Sequence, residues 1–303
     1  MIFRSSPQSS WPRAFPARPV LCRLDIFLLL ALALTGVALF AGATSDSAQP
    51  REWGTLWQYI IRADGRPGLL VQGLFTTIRL TVWSALIALV LGICAGLART
   101  SKSLYLRLLG ATYVELCRNL PPLVLVFLCY YFLADQITPA IGLQDFVRSA
   151  SPETKSLAGF FLGRPDQIDA FVTAAFTLGL YEGAFVAEIV RAAIQAVDSG
   201  QWEAGRALGF PRLALLRHII LPQAARNTVP PLAGQAISTI KDSAIVSVIS
   251  IQELTFQGMQ LMATTYLAFE VWTCVALLYF VLTFSCSLIA GRLEKRLRRQ
   301  YTA

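Results

Sequence analysis

Between Gly68 and Leu97 the chain carries one charged residue, Arg79. At a rise of 1.5 Å per residue, such a run crosses about 30 Å of hydrocarbon as a helix. It is one of several. Leu24 to Gly42 forms a comparable run with Asp25 at its start, Leu120 to Leu133 a shorter one, Asp169 to Val190 a fourth containing Glu182 and Glu188, and Leu267 to Ala290 another with Glu270 near its start. Charged residues make up 15% of the 303-residue chain, against about a quarter in soluble domains. The expectation is therefore an all-α, polytopic membrane helix bundle.

The remaining span is harder to place. Pro230 to Ile251 is long enough to cross, but Gln235, Ser238, Thr239, Lys241 and Asp242 make it too polar to face lipid, so it reads as an interior or broken helix. That makes six crossings. Pro121 and Pro122 suit the first turn of the third. The first run is longer than a usual secretory signal core, so an uncleaved helix is the reading adopted, although Ala41, Ala43 and Ala48 are small residues of the sort cleavage favours.

Orientation follows from the basic residues. With the N-terminus in the cytoplasm, segments 1–23, 99–118, 191–228 and 291–303 lie inside and hold 18 of the 26 lysines and arginines. Cytoplasmic loops favour Lys and Arg, so both termini are expected there. The formal charge of +8 thus reports topology and anionic headgroups; nucleic acid would need those residues on one soluble face.

Several kinds of chemistry are excluded. His218 is the lone histidine and the six cysteines have no C-x-x-C spacing, so no metal site is expected. Neither G-x-S-x-G nor G-x-x-x-x-G-K-[ST] occurs, which leaves no expected catalytic residue and no phosphate loop for ATP.

The informative stretch is Asp198 to Pro222. Asp198 is a candidate N-cap with Gln201 completing a capping box, Gly209 a permissive stop, and Pro211 the start of a second helix that Pro222 should end. Arg206, Arg212 and Arg217 keep both helices out of hydrocarbon. The product is either an amphipathic loop on the headgroups or a docking element. For docking, Ala204, Gly205, Ala207 and Gly209 admit a partner's backbone, while Trp202, Leu208 and Phe210 supply anchors.

This stretch resembles the EAA motif of bacterial ATP-binding-cassette importer permeases: E-A-A, three residues, G, nine residues, I, one residue, L-P. Glu203, Ala204 and Gly205 fill the triplet, with Gly where the motif has Ala; Gly209, Ile219, Leu221 and Pro222 complete it. Residues 68–299 further resemble the polar amino acid uptake branch (histidine, glutamine and glutamate-type permeases). The matching stretches include Thr76-Thr77-Ile78-Arg79-Leu80-Thr81, Tyr113 to Arg118, Tyr181 to Arg191, Leu221 to Arg226, Ile240 to Ser243 and Gln252 to Thr255. Departures at Leu120, Leu125 and Ala192-Ala193 bear on the substrate more than on the class.

The resemblance implies five core spans plus one extra N-terminal span. It divides the chain into an N-terminal cytoplasmic tail, extra helix and periplasmic linker (1–67), a transmembrane domain (68–299) with its cytoplasmic loop at 198–222, and a C-terminal tail (300–303). It also implies a bacterial inner-membrane assembly: a second permease subunit, identical or paralogous, two ATPase subunits docked on the loops, and a periplasmic amino-acid-binding protein. On this reading the chain is no enzyme and holds no cofactor, ATP and Mg being used by the partner ATPase. The docking surface would comprise Trp202, Glu203, Ala204, Gly205, Leu208, Gly209, Phe210 and Pro211, with Glu203 making a polar contact and Gly209 the bend.

Charges within spans form the second group of candidates, because an ion at bilayer depth faces a bundle interior or a cavity. Glu182, Lys241 and Asp242 are assigned to the substrate pathway. Glu182 either binds a substrate cation or is neutralised by Lys241, the pair being slightly favoured. Lys241 and Asp242, being adjacent, face different partners. Glu188 and Arg191 are expected to pair along one helix; Arg79 either snorkels to the interface or contacts a substrate carboxylate, snorkelling being favoured. An ion-coupled secondary transporter is the competing class; it would not need the insertion.

Overall fold

In the computed structural model the described residues are 53–133 and 167–299, with Gly142, Ser149, Ser151 and 159–163 between them. The first apolar run, Leu24 to Gly42, lies outside the described residues. The described part is helical throughout its main elements: α1 (Trp53–Ile60), α2 (Leu69–Arg99), α3 (Leu104–Asn119), α4 (Pro122–Leu128), α5 (Ile168–Gln195), α6 (Ser199–Ala207), α7 (Arg212–Leu215), α8 (Leu221–Asp242), α9 (Leu254–Thr265) and α10 (Ala268–Arg299).

Among the described residues, three helices are long and apolar enough to cross a membrane: α2, α5 and α10, at 31, 28 and 32 residues. They correspond to the expected second, fourth and sixth spans. The expected third is less simple. Pro122 stands in the first turn of α4, and a π turn (Cys129–Leu133) follows, but α4 is bent by 112° against α3 at Leu120 and Pro121. A crossing here is a broken pair, because Pro121 supplies no N–H and Leu120 before it is extended (φ −84°, ψ 141°).

At the centre α2 lies against α5. Each brings a G-x-x-x-G pair: Gly92 and Gly96 on α2, Gly179 and Gly183 on α5. A Cβ at Gly92 would stand 2.4 Å from Val186 Cγ1 and 2.9 Å from the Gly183 carbonyl, and one at Gly179 would stand 2.7 Å from Ile87 Cβ. The backbones approach closely because small residues let them, and lipid gives no other driving force for pairing such helices. α3 is fixed to the same helix by Tyr113, whose hydroxyl donates to the Leu180 carbonyl at 2.6 Å. By contrast α10 turns Phe280, Val281, Phe284 and Ile289 outward, as a lipid-facing helix should.

The stretch read as a linker before residue 68 contains α1. Its Leu56 is buried with Leu70, Leu254, Leu261, Val271 and Val275, so it seals one end of the bundle. Near that end the fully buried Glu253 caps α9, accepting from the backbone N–H of Thr255 and Phe256, each at 2.8 Å, and from the Tyr279 hydroxyl at 2.9 Å. Thr77 Oγ1 accepts from the Leu254 N–H at 3.1 Å. One carboxylate and one hydroxyl thereby tie α2, α9 and α10 together.

The polar fifth span is broken, as expected, and its bounds differ. α8 starts at Leu221, runs through Pro230 and Pro231, and gives way to a 3-10 turn (Ser243–Ile249) that ends on Ser250 in the left-handed region (φ 62°). One face, including Ala224, Thr228, Thr239 and Ile240, is buried; Pro230, Gly234 and Lys241 are exposed.

Candidate functional site

The insertion forms the bent helix pair that the sequence predicts. Asp198 caps α6 by accepting from the Gly200 N–H at 2.6 Å. Gln201 does not complete the capping box; its side chain accepts from Gln223 Nε2 at 3.4 Å and joins α6 to α8. The C-terminus of α6 closes as a Schellman motif, with Phe210 N–H to the Gly205 carbonyl at 3.1 Å and Gly209 N–H to the Arg206 carbonyl at 3.0 Å. This closure places Gly209 at φ +77°, where glycine alone is unstrained.

The departure from the EAA pattern also has a structural place. Gly205 is buried, and a Cβ on it would stand 2.2 Å from Leu215 Cδ1. Packing of α7 onto α6 thus exploits the missing methyl. Leu215 itself is fully buried with Val190, Ile194, Val197 and Ile220. Trp202 packs against this same cluster, half-buried, whereas Leu208 and Leu213 are 75% and 77% exposed and Phe210 is 42% exposed. Glu203 and Ala204 are exposed beside them, and Pro211 caps α7.

One expectation is overturned. Pro222 does not end the second helix. A π turn (Leu216–Ile220) absorbs it: Leu221 N–H reaches back five residues to the Leu216 carbonyl, and Pro222 then occupies the first turn of α8, where its missing N–H costs little. The insertion is therefore continuous with the polar helix. Arg212 adds a strut to the end of α2, donating to the Thr100 carbonyl at 3.5 Å.

Deeper in the bundle, Glu182 is fully buried on α5. Its partner is Gln235 of α8, whose amide donates to Oε2, while Oε1 has no hydrogen-bond partner. Thr239 and Asp242 also lie close to this carboxyl group. The favoured Glu182–Lys241 pair does not form. Lys241 is exposed on the other side of α8, and among the described residues it has no ion-pair partner. The helical offset of about 100° between neighbours explains the outcome: once Asp242 turns toward Glu182, Lys241 must turn away.

Between this carboxylate and the insertion sits a charged cluster. Glu188 pairs with Arg191 at 2.7 Å, as expected, and it also binds Arg99 of α2 and faces Arg118 of α3 at 3.6 Å. Arg118 stacks over Phe185 at 5.5 Å. Sequence spacing reveals only the i, i+3 member; the other two come from distant helices.

Arg79 is tied to two backbone carbonyls. Its Nε donates to the Phe75 carbonyl at 3.3 Å and Nη1 to the Gly159 carbonyl at 3.0 Å. It lines a cavity of about 440 Å³ at the end of α2 opposite the insertion. Nearby, burial raises the Glu253 carboxyl above its ordinary pKa, against the pull of the Thr255 and Phe256 N–H groups.

Comparisons with known proteins agree with this arrangement. The family described as binding-protein-dependent transport system inner membrane component matches residues 88–299. The glutamine transport system permease protein GlnP of Escherichia coli (strain K12) is 32% identical over 247 residues, covering 82% of this chain and 98% of the relative. The probable glutamine ABC transporter permease protein GlnM of Bacillus subtilis (strain 168) is 33% identical, covering 77% and 95%. Among solved structures, an amino acid ABC transporter crystallised with histidines superposes with a TM-score of 0.60 at 33% identity, covering 75% of this chain and 94% of that one. The MetNI methionine ABC transporter shares the fold at 21% identity and a TM-score of 0.56, covering 76% and 96%. With an insertion, a buried polar helix and a helical core of this kind, and with relatives matched over nearly their whole length, the chain belongs to the binding-protein-dependent inner membrane components and is a permease subunit of an ABC importer.

Proposed function

We propose that this chain forms half of a transmembrane pathway for a polar amino acid in the bacterial inner membrane, both termini being cytoplasmic. A second permease subunit, identical or paralogous, supplies the other half. Two ATPase subunits using ATP and Mg dock on residues 198–222, and a periplasmic binding protein delivers the substrate. The chain itself holds no cofactor and hydrolyses nothing.

The observation that carries the reading is the insertion's outer surface. Leu208, Phe210 and Leu213 are exposed on a short, internally braced pair of helices that shares a core with α5 and continues into α8. Apolar anchors on a rigid mount suit the groove of a protein partner, and the mount can pass a rigid-body movement to the pathway. Within that surface Glu203 supplies a polar contact, Ala204 and Gly209 allow close approach, and Pro211 sets the direction of α7; Gly205, buried under Leu215, admits α7 and no partner, and Trp202 fixes the mount to the bundle. Exposed Pro230, Gly234 and Lys241 on α8 fit the second permease, because a polar helix face is costly against lipid.

Glu182, Asp242 and Lys241 are assigned to the substrate pathway. The first two form the acidic pole that an amino acid's ammonium group would seek, and Lys241 on the exposed face of α8 would meet the pathway from the side of the second permease. The relatives named for glutamine make a polar, uncharged side chain the first to test.

Uptake into vesicles reconstituted with the chain, its ATPase and the binding protein tests the reading. Amino acid accumulation should require all three and ATP. Accumulation driven by an ion gradient without the ATPase would refute it. Cysteines placed at positions 202–210 should crosslink to the ATPase; crosslinks to phospholipid alone would do the same damage.

A further inference from the structure

The 440 Å³ cavity at the far end of α2 is within the roughly 300–1,000 Å³ range of small-molecule sites. It stands apart from Glu182 and Asp242. Its walls come from α2, the segment 159–163, the start of α5, and the turn leading into α9.

Three features define what it would hold. Arg79 is the sole charged side chain among the described lining residues, so the cavity favours an anion. Among the described residues its guanidinium makes two donor contacts, both to carbonyls, of the five N–H groups it carries. Donors remain for a carboxylate. The second feature is Gln257, which is 4% exposed and whose Oε1 has no hydrogen-bond partner. A buried amide oxygen in that condition lacks the donor that would offset its desolvation. The third is the lining amides and hydroxyl of Gln72, Gln252 and Thr76.

The two poles line the same cavity. Gly73 abuts Gln257, since a Cβ there would meet Gln257 Cγ at 2.9 Å. Arg79 reaches the cavity from α2, its Nε bound to the Phe75 carbonyl, and Gln257 reaches it from α9. A donor and an acceptor in one cavity offer partners to the α-carboxylate and the α-ammonium of an amino acid. Glu253, clamped between α2 and α10, caps α9 and so holds Gln252 before the helix and Gln257 in its first turns in place.

We propose that this cavity is a second amino acid site, in which Arg79 receives the α-carboxylate and Gln257 Oε1 the α-ammonium group. The inference rests on the importer reading for the site's role, as a place of entry before the buried carboxylate. Binding itself is independent of that reading.

The test uses the full chain in lipid vesicles with Phe75→Cys, and modification by a methanethiosulfonate reagent is followed at position 75 by peptide mass spectrometry. The probes are the twenty standard L-amino acids and their α-carboxamide derivatives. At least one amino acid should slow modification about fivefold or more, and its carboxamide should not. Adding Arg79→Gln should raise the concentration needed for protection about tenfold. Gln257→Leu, which removes no charge, should act in the same direction. Protection by none of the twenty, or protection unaltered in both variants, overturns the proposal. ATP-driven uptake by the complete transporter is measured in parallel. Uptake without protection removes the second site and leaves the importer reading; protection without uptake upholds the site and removes that reading.

Discussion

Replacing Gly209 isolates the mechanical role of the insertion. The residue sits at φ +77°, and a Cβ built on it meets nothing within 4 Å, so the cost of a side chain lies in the backbone alone. For an L residue the left-handed region costs about 1–2 kcal/mol. If the bend relaxes instead, it forfeits the Phe210 to Gly205 and Gly209 to Arg206 hydrogen bonds, each worth about 1 kcal/mol net. Either route destabilises the native bend by about 1–2 kcal/mol or more, a factor of about 5–30 in its population. β-Branched Val is disfavoured there beyond Ala, whereas Asn tolerates the region. In proteoliposomes with the ATPase, Gly209→Val should lower amino acid transported per ATP hydrolysed several-fold while membrane insertion persists. Gly209→Asn should stay close to the parent. Normal coupling in the valine variant would refute the reasoning, and so would equal damage from asparagine, since φ would then not be the cause.

Other consequences concern the bundle. Gly92→Leu should abolish a monodisperse protein on size exclusion, because its side chain enters the space of Val186 and the Gly183 carbonyl; a well-behaved variant would mean that α2 and α5 can separate cheaply. Glu253→Ala removes a cap worth about 0.5–2 kcal/mol and an acceptor for Tyr279, so thermal unfolding in detergent should start several degrees lower. Unchanged melting would disprove the clamp. Glu188→Gln leaves Arg99, Arg118 and Arg191 without their shared carboxylate and should cost about 1–3 kcal/mol, read by the same melt. For Glu182→Gln, uptake of cationic relative to acidic amino acids should fall; identical rates and selectivity would take Glu182 out of the pathway.

What the sequence revealed depends on the range of the interactions involved. Spans α2, α5 and α10 are legible because burial in hydrocarbon acts on each segment separately. The bend at Gly209 is legible because a helix stop is local. Pro222 misleads for a related reason: proline's usual effect is to stop a helix, and a single π turn is enough to evade it. Glu182 was singled out as a buried charge, yet its pairing with Gln235 joins residues 53 apart, and no local pattern encodes which side of α8 faces α5. For Arg79 the sequence suggests the interface or a substrate, while the carbonyl it meets belongs to Gly159, on a segment without a periodic pattern. The Arg99 and Arg118 contacts to Glu188 were hidden likewise, each sitting at the end of a different helix.

The π turn joins the insertion and the polar helix from Arg212 to Asp242 into one shaft. A shaft has a phase as well as a length. Each residue advances the helix by about 100°, so the angle at which Leu213 meets its partner is locked to the angle at which Gln235 meets Glu182. Deleting one residue between them would leave both ends intact in composition and turn one about a quarter revolution past the other. Torque would still arrive, aimed at the wrong wall.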